Sequence, residues 1–138
     1  MSVGVSGGPC VLVVDDDPVL RRIVSRGLEP LALGAVLEVE DGAQAQDVLR
    51  DRAVDVVITD VLMPNMDGRE LMGWAKEHCP EPVWIILSGL DTFDAAIDAL
   101  RLGAFDFLAK PLEVQRLRVV VRNALAHGDL LREKERLY

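Results

Sequence analysis

The stretch Val11-Leu12-Val13-Val14-Asp15-Asp16-Asp17-Pro18 decides how the rest of the chain is read. Its apolar half is short and uninterrupted, as a strand is when both faces of a parallel sheet are covered. The run stops in three carboxylates. Asp17 followed by Pro18 then reads as a helix start, because aspartate caps free N–H groups and proline suits the first helical position. A strand, an acidic loop and a helix follow one another with nothing between them.

The same alternation continues to the C-terminus. Strands are expected at Cys10–Val14, Ala35–Val39, Val54–Thr59, Val83–Leu87 and Phe105–Leu108. Helices are expected over about 18–28, 43–50, 69–78, 92–102 and from Glu113 onward. The turn Asn65-Met66-Asp67-Gly68 precedes the third helix, and Gly103 closes the fourth. Five strand–helix units in a row imply right-handed crossovers and a parallel sheet with helices on both faces. In such α/β sheets function gathers at the carboxyl ends of the strands.

Those ends carry chemistry. The first strand delivers Asp15 and Asp16, the third Asp60, the fourth Ser88 and the fifth Lys110. Carboxylates brought together from neighbouring strands repel one another and need a compensating cation. A hard divalent ion with oxygen ligands suits them, and Mg²⁺ keeps coordination positions open for substrate oxygens. Lys110 adds a positive charge, and Pro111 after it marks a fixed turn with a candidate cis peptide bond. Helix capping accounts for Asp17 but not for an acid cluster drawn from separate strands.

The bulk numbers narrow the alternatives. The chain has 138 residues, which suits one domain. Its net charge of 15 − 23 = −8 makes direct nucleic-acid binding by this segment a poor electrostatic match. No apolar run reaches the roughly 18 residues that span a bilayer. The Gly-rich start does not read as a signal peptide, so the expected location is cytoplasmic. Cys10 and Cys79 lie far apart and outside any CxxC motif, so both are expected as free thiols. His78 and His127 have no metal-ligand spacing.

Four stretches together resemble the receiver domains of two-component response regulators. They are VLVVDDDP at 11–18, DVVITDVLMPNMDG at 55–68, WIILSG at 84–89 and GAFDFLAKP at 103–111. The resemblance implies a flavodoxin-like (βα)5 three-layer sandwich with strand order 2-1-3-4-5. It implies a phosphoacceptor at Asp60, and a Mg²⁺ site (with Mn²⁺ able to substitute) at Asp15, Asp16, Asp60 and the Leu62 backbone carbonyl. Ser88 then matches the switch hydroxyl, Lys110 the lysine pairing with a phosphoryl oxygen, and Phe107 the aromatic switch residue. The implied partner is a sensor histidine kinase or a phosphotransfer protein. A homodimer through the fourth helix, fifth strand and fifth helix is also implied. The expected division is a flexible N-terminus over 1–9, the receiver domain over 10–126 and a helical extension or linker over 127–138, interrupted at Gly128. Such a segment would be part of a longer regulator.

Two positions are less typical. Leu62 and Leu90 are apolar where receivers vary, and they are expected to restrict water and slow self-dephosphorylation. Phe107 stands where tyrosine is frequent, so its inward position would rest on packing alone. Three alternatives each make a different demand on the sequence. A hydrolase with an aspartyl nucleophile would need an acid at Leu62. A flavin carrier would need a phosphate cradle where Asp15-Asp16-Asp17 stands. A receiver that only mediates interactions would not need the complete site.

Overall fold

A computed structural model describes residues 7–137 of the chain. Most of the expected flexible start, residues 1–6, lies outside the described residues. The five strands are β1 (Cys10–Val14), β2 (Ala35–Val39), β3 (Val56–Asp60), β4 (Val83–Ser88) and β5 (Asp106–Ala109). The helices are α1 (Pro18–Gly27), α2 (Gly42–Asp51), α3 (Gly68–His78), α4 (Phe93–Leu102) and α5 (Val114–Leu137). All strand pairs are parallel and the order is β2-β1-β3-β4-β5.

Period-two alternation divides the core. In β1, Leu12 and Val14 face a layer shared with Ala45, Leu49, Leu71, Ala75 and Ala99 of α2, α3 and α4. Val11 and Val13 face the opposite layer, with Val24 of α1 and Leu117, Val121 and Ala124 of α5. β1, β3 and β4 are buried throughout, whereas the edge strand β2 is only half-buried. This explains why the central strands carry continuous apolar runs.

Where the boundaries differ from expectation, a local contact explains it. β3 starts at Val56 rather than Val54. Asp55 lies below its ladder and ties three strand starts together: its N–H donates to the Cys10 carbonyl, its carbonyl accepts from Val83, and its carboxylate accepts from the Cys10 N–H at 2.8 Å. β5 is displaced by one residue at each end, to Asp106–Ala109. A 3₁₀ turn at Leu90–Thr92 moves the start of α4 to Phe93, and another follows α1 at Glu29–Leu31.

Helix α5 runs through Gly128 without the expected interruption. Gly128 is buried, and a Cβ there would come within 3.3 Å of a Val83 methyl. Close packing of α5 on β4 outweighs the low helix propensity of glycine. Among the described residues no helix is long and apolar enough to cross a membrane. Both cysteines are free. His78 stacks on Trp74, with centroids 4.8 Å apart, and His127 lies 4.9 Å from Phe105.

Candidate functional site

Parallel strands all end at the same edge of the sheet, so their last residues and the following loops converge there. Asp60 closes β3, paired with Leu87. Asp15 follows β1 directly and its N–H donates to the Val39 carbonyl of β2 at 3.2 Å. Ligand oxygens of Asp15, Asp16 and Asp60 all lie within 4.8 Å of one another. The third strand end therefore joins the acidic loop of the first, because β1 and β3 pair directly.

The three consecutive aspartates take three environments. Asp17 is the N-cap of α1, accepting from the N–H groups of Val19 and Leu20. Asp16 is exposed. Asp15 is fully buried: its Oδ1 accepts from the Asp17 N–H at 2.8 Å, while its Oδ2 accepts no hydrogen bond. Arg21, which sequence reading passed over, holds this loop by donating to the Asp15 carbonyl at 2.6 Å. Arg21 also pairs with Glu38 of β2 at 3.6 Å. A basic residue one turn into the helix after an acidic loop was the available signal.

Lys110 reaches the cluster from the loop after β5. Its N–H donates to the Ser88 carbonyl, and the Lys110–Pro111 peptide is cis. Its ammonium donates to Asp60 Oδ2 at 3.0 Å and lies 3.8 Å from Asp15 Oδ2. Burial lowers the affinity of Lys110 for its proton, but the Asp60 hydrogen bond and the charges of Asp60, Asp15 and Asp16 outweigh it, and its pKa is raised.

Asp15 is pushed up to about 6, first by burial and then by the charges of Asp60 and Asp16, against the Asp17 N–H and Lys110. An acid raised in the folded state stabilises the fold below its unfolded pKa and loses that contribution as pH rises to the folded value. In chelator, Asp15→Asn should therefore gain melting temperature relative to the wild type as pH rises from 3.8 to about 6. Thermal unfolding across that range measures it, and a constant difference would show that Asp15 does not titrate there.

Two more devices fix Asp60. Asp67 caps α3 in a reciprocal capping box with Glu70. Asn65 before it takes a left-handed backbone, φ 72°, which asparagine tolerates. Gly68 then packs so closely under the strand end that a Cβ would lie 2.7 Å from the Asp60 carbonyl oxygen and 3.2 Å from Val61 Cα. Both are backbone atoms, so Gly68→Ala should destabilise the fold by about 1–3 kcal/mol in chemical denaturation.

Ser88 ends β4 and is buried, but its hydroxyl turns into its own loop. Its Oγ lies 2.9 Å from Thr92 Oγ1 and 3.0 Å from the Gly89 carbonyl oxygen. Phe107 is half-buried against the α2–α4 core layer, with its ring edge-on to Phe93 at 6.4 Å. Leu62 is 48% exposed and Leu90 96% exposed, so only Leu62 retains substantial cover. By sequence alone Thr92 is an ordinary helix start. The Ser88–Thr92 spacing of two hydroxyls four residues apart was the signal for their contact.

Comparison with known proteins agrees with this arrangement. The response regulator receiver domain family matches residues 11–122. The DNA-binding transcriptional regulator NtrC of Escherichia coli is 35% identical over 117 residues, covering 85% of this chain and 25% of NtrC. Response regulator protein FleR of Pseudomonas aeruginosa is 37% identical over 118 residues, covering 83% of this chain and 24% of FleR. The chain thus spans about a quarter of the length of these curated relatives. The signal receiver domain of an HD domain-containing protein from Pseudomonas fluorescens superposes with TM-score 0.84 at 31% identity, covering 91% of this chain and 93% of that one. With five parallel strands in the order 2-1-3-4-5 and a continuous family match across the sheet and its acidic edge, this chain belongs to the response regulator receiver domain family.

Proposed function

We propose that this domain accepts a phosphoryl group on Asp60 from a phosphohistidine of a sensor kinase or phosphotransfer protein, in the cytoplasm. One observation carries the reading: Asp60 sits at a strand end where two further carboxylates and one ammonium converge on it. The unpartnered Asp15 Oδ2, buried beside Asp60 and Asp16, fits a cation that the protein itself only partly supplies through Lys110.

Asp15, Asp16, Asp60 and the Leu62 carbonyl would hold Mg²⁺, or Mn²⁺ in its place. Bound there, the ion supplies positive charge against the carboxylates and the phosphoryl oxygens. A carboxylate oxygen of Asp60 attacks phosphorus, the phosphohistidine nitrogen leaves, and an aspartyl phosphate forms. Lys110 then orients and neutralises a phosphoryl oxygen. Ser88 donates its hydroxyl to another, and Phe107 moves inward as Ser88 leaves its loop, a shift between two packings. The altered face of α4, β5 and α5 would meet a second copy, and the part of α5 beyond Ala126 would serve as the link to an output domain.

Incubation of the whole chain with acetyl phosphate and Mg²⁺ tests this. Intact mass should rise by one phosphoryl group, and chelator should abolish the rise. No mass gain with Mg²⁺ present would overturn the reading. Leu62, half-covered two residues beyond Asp60, should slow water attack on the product. The isolated domain should then hold its phosphoryl group far longer than seconds, measured by the decay of phosphorylated mass after donor removal.

A further inference from the structure

The Ser88 hydroxyl has one proton, and the structure places that proton in use within its own loop. Thr92 Oγ1 accepts from the Gly89 N–H at 2.9 Å and lies 3.2 Å from the Gly89 carbonyl. Ser88 Oγ is 2.9 Å from Thr92 Oγ1 and 3.0 Å from the same carbonyl. Two hydroxyls and one carbonyl thus close a small ring. Either Ser88 donates to Thr92 and Thr92 to the carbonyl, or Thr92 donates to Ser88 and Ser88 to the carbonyl. In both arrangements Ser88 has no proton left for a phosphoryl oxygen. Ser88 is 3% and Thr92 9% exposed, so water does not readily replace these bonds.

Thr92 also ends the 3₁₀ turn Leu90–Thr92 and is joined directly to Phe93, the ring that Phe107 meets edge-on. The turn therefore touches both ends of the switch. Its outer residue, Leu90, stands almost wholly in solvent and restrains nothing.

We propose that Thr92 is a positioning residue whose hydroxyl latches Ser88 in the resting arrangement, so that phosphorylation must break the Ser88–Thr92 bond before Phe107 can move. The latch rests on the reading of Ser88 as the switch hydroxyl. A buried hydroxyl pair of this kind shifts an equilibrium by on the order of fivefold.

The test uses the full chain with Thr92→Val, which removes the hydroxyl at nearly constant shape, and Thr92→Ser, which keeps it. Thr92→Ala stands in if the valine variant does not fold. Ser88→Ala and the double variant complete a cycle. The readout is the Phe107 ring resonances of each protein, before and after phosphorylation by acetyl phosphate with Mg²⁺. In Thr92→Val the ring resonances should move from the resting toward the phosphorylated position, with the active-like fraction up on the order of fivefold. Thr92→Ser should match the wild type, and Thr92→Val should add nothing in the Ser88→Ala background.

Phe107 resonances that stay at rest in Thr92→Val, while Ser88→Ala blocks their response to phosphorylation, would overturn the latch alone. A Thr92→Val effect that persists without the Ser88 hydroxyl would reduce Thr92 to a structural turn residue. A Phe107 response that is unchanged in Ser88→Ala would overturn the switch reading itself, and the latch with it.

Discussion

Asp60→Asn should gain no phosphoryl group under conditions in which the wild type gains one, and the loss should be complete. Asparagine keeps the size of the side chain but replaces the nucleophilic carboxylate oxygen, so no alternative geometry restores the bond. The fold should survive. Asp60 is 8% exposed between two acids and the Lys110 ammonium, so a neutral amide relieves the repulsion from Asp15 and Asp16, keeps an oxygen that can accept from Lys110, and leaves that ammonium paired with Asp15. Far-ultraviolet circular dichroism and thermal unfolding should therefore match or exceed the wild type, while intact mass stays unchanged after acetyl phosphate and Mg²⁺. Phosphoryl uptake by the Asn variant would move the acceptor elsewhere, with exposed Asp16 the first residue to examine.

Lys110→Met should slow phosphorylation by about 10²–10³-fold, the usual effect of losing one preorganised donor aimed at developing charge. Methionine keeps the length and apolar body of the stem but removes the ammonium that lies 3.0 Å from Asp60 Oδ2. It also removes the partner 3.8 Å from the otherwise unbonded Asp15 Oδ2. The variant should consequently depend more strongly on the cation: the Mg²⁺-induced rise in melting temperature should exceed that of the wild type. Quenched time courses of phosphorylated mass give the rate, and a change of less than threefold would remove Lys110 from the reaction.

The order of elements and the gathering of acids and a lysine at one sheet edge were legible because each leaves a local trace. A strand buried on both faces is apolar along most of its length, as β1 is throughout and β4 is up to Ser88. A helix start needs an acceptor, as Asp17 provides. A parallel sheet must place the ends of β1, β3, β4 and β5 at one edge, so Asp15, Asp16, Asp60, Ser88 and Lys110 could be gathered before any coordinate was known. The 3₁₀ turn at Leu90–Thr92 left only the four-residue spacing of two hydroxyls as a trace, because the turn itself closes through the Gly89 N–H on Thr92 Oγ1 and the Thr92 N–H on the Gly89 carbonyl, a backbone bond that any residue order could offer. Gly128 misled for the same kind of reason: its helix is held by contact with Val83, and propensity carries no record of that contact.

The aspartate run 15–17 marks the boundary between the two kinds of knowledge. Three identical side chains in succession fix that acid is present at the first strand's end. They do not distinguish the residues, because composition assigns each the same charge and the same affinity for a proton. Tertiary packing separates them: Asp17 turns onto the free N–H groups of α1, Asp16 stays in solvent, and Asp15 is enclosed beside Asp60 with one oxygen unbonded. Sequence alone determined the alternating layers and the residues collected at their edge. The structure decided which carboxylate is buried and where the Ser88 hydroxyl points, because dielectric surroundings and hydrogen-bond direction are set by groups distant in the chain.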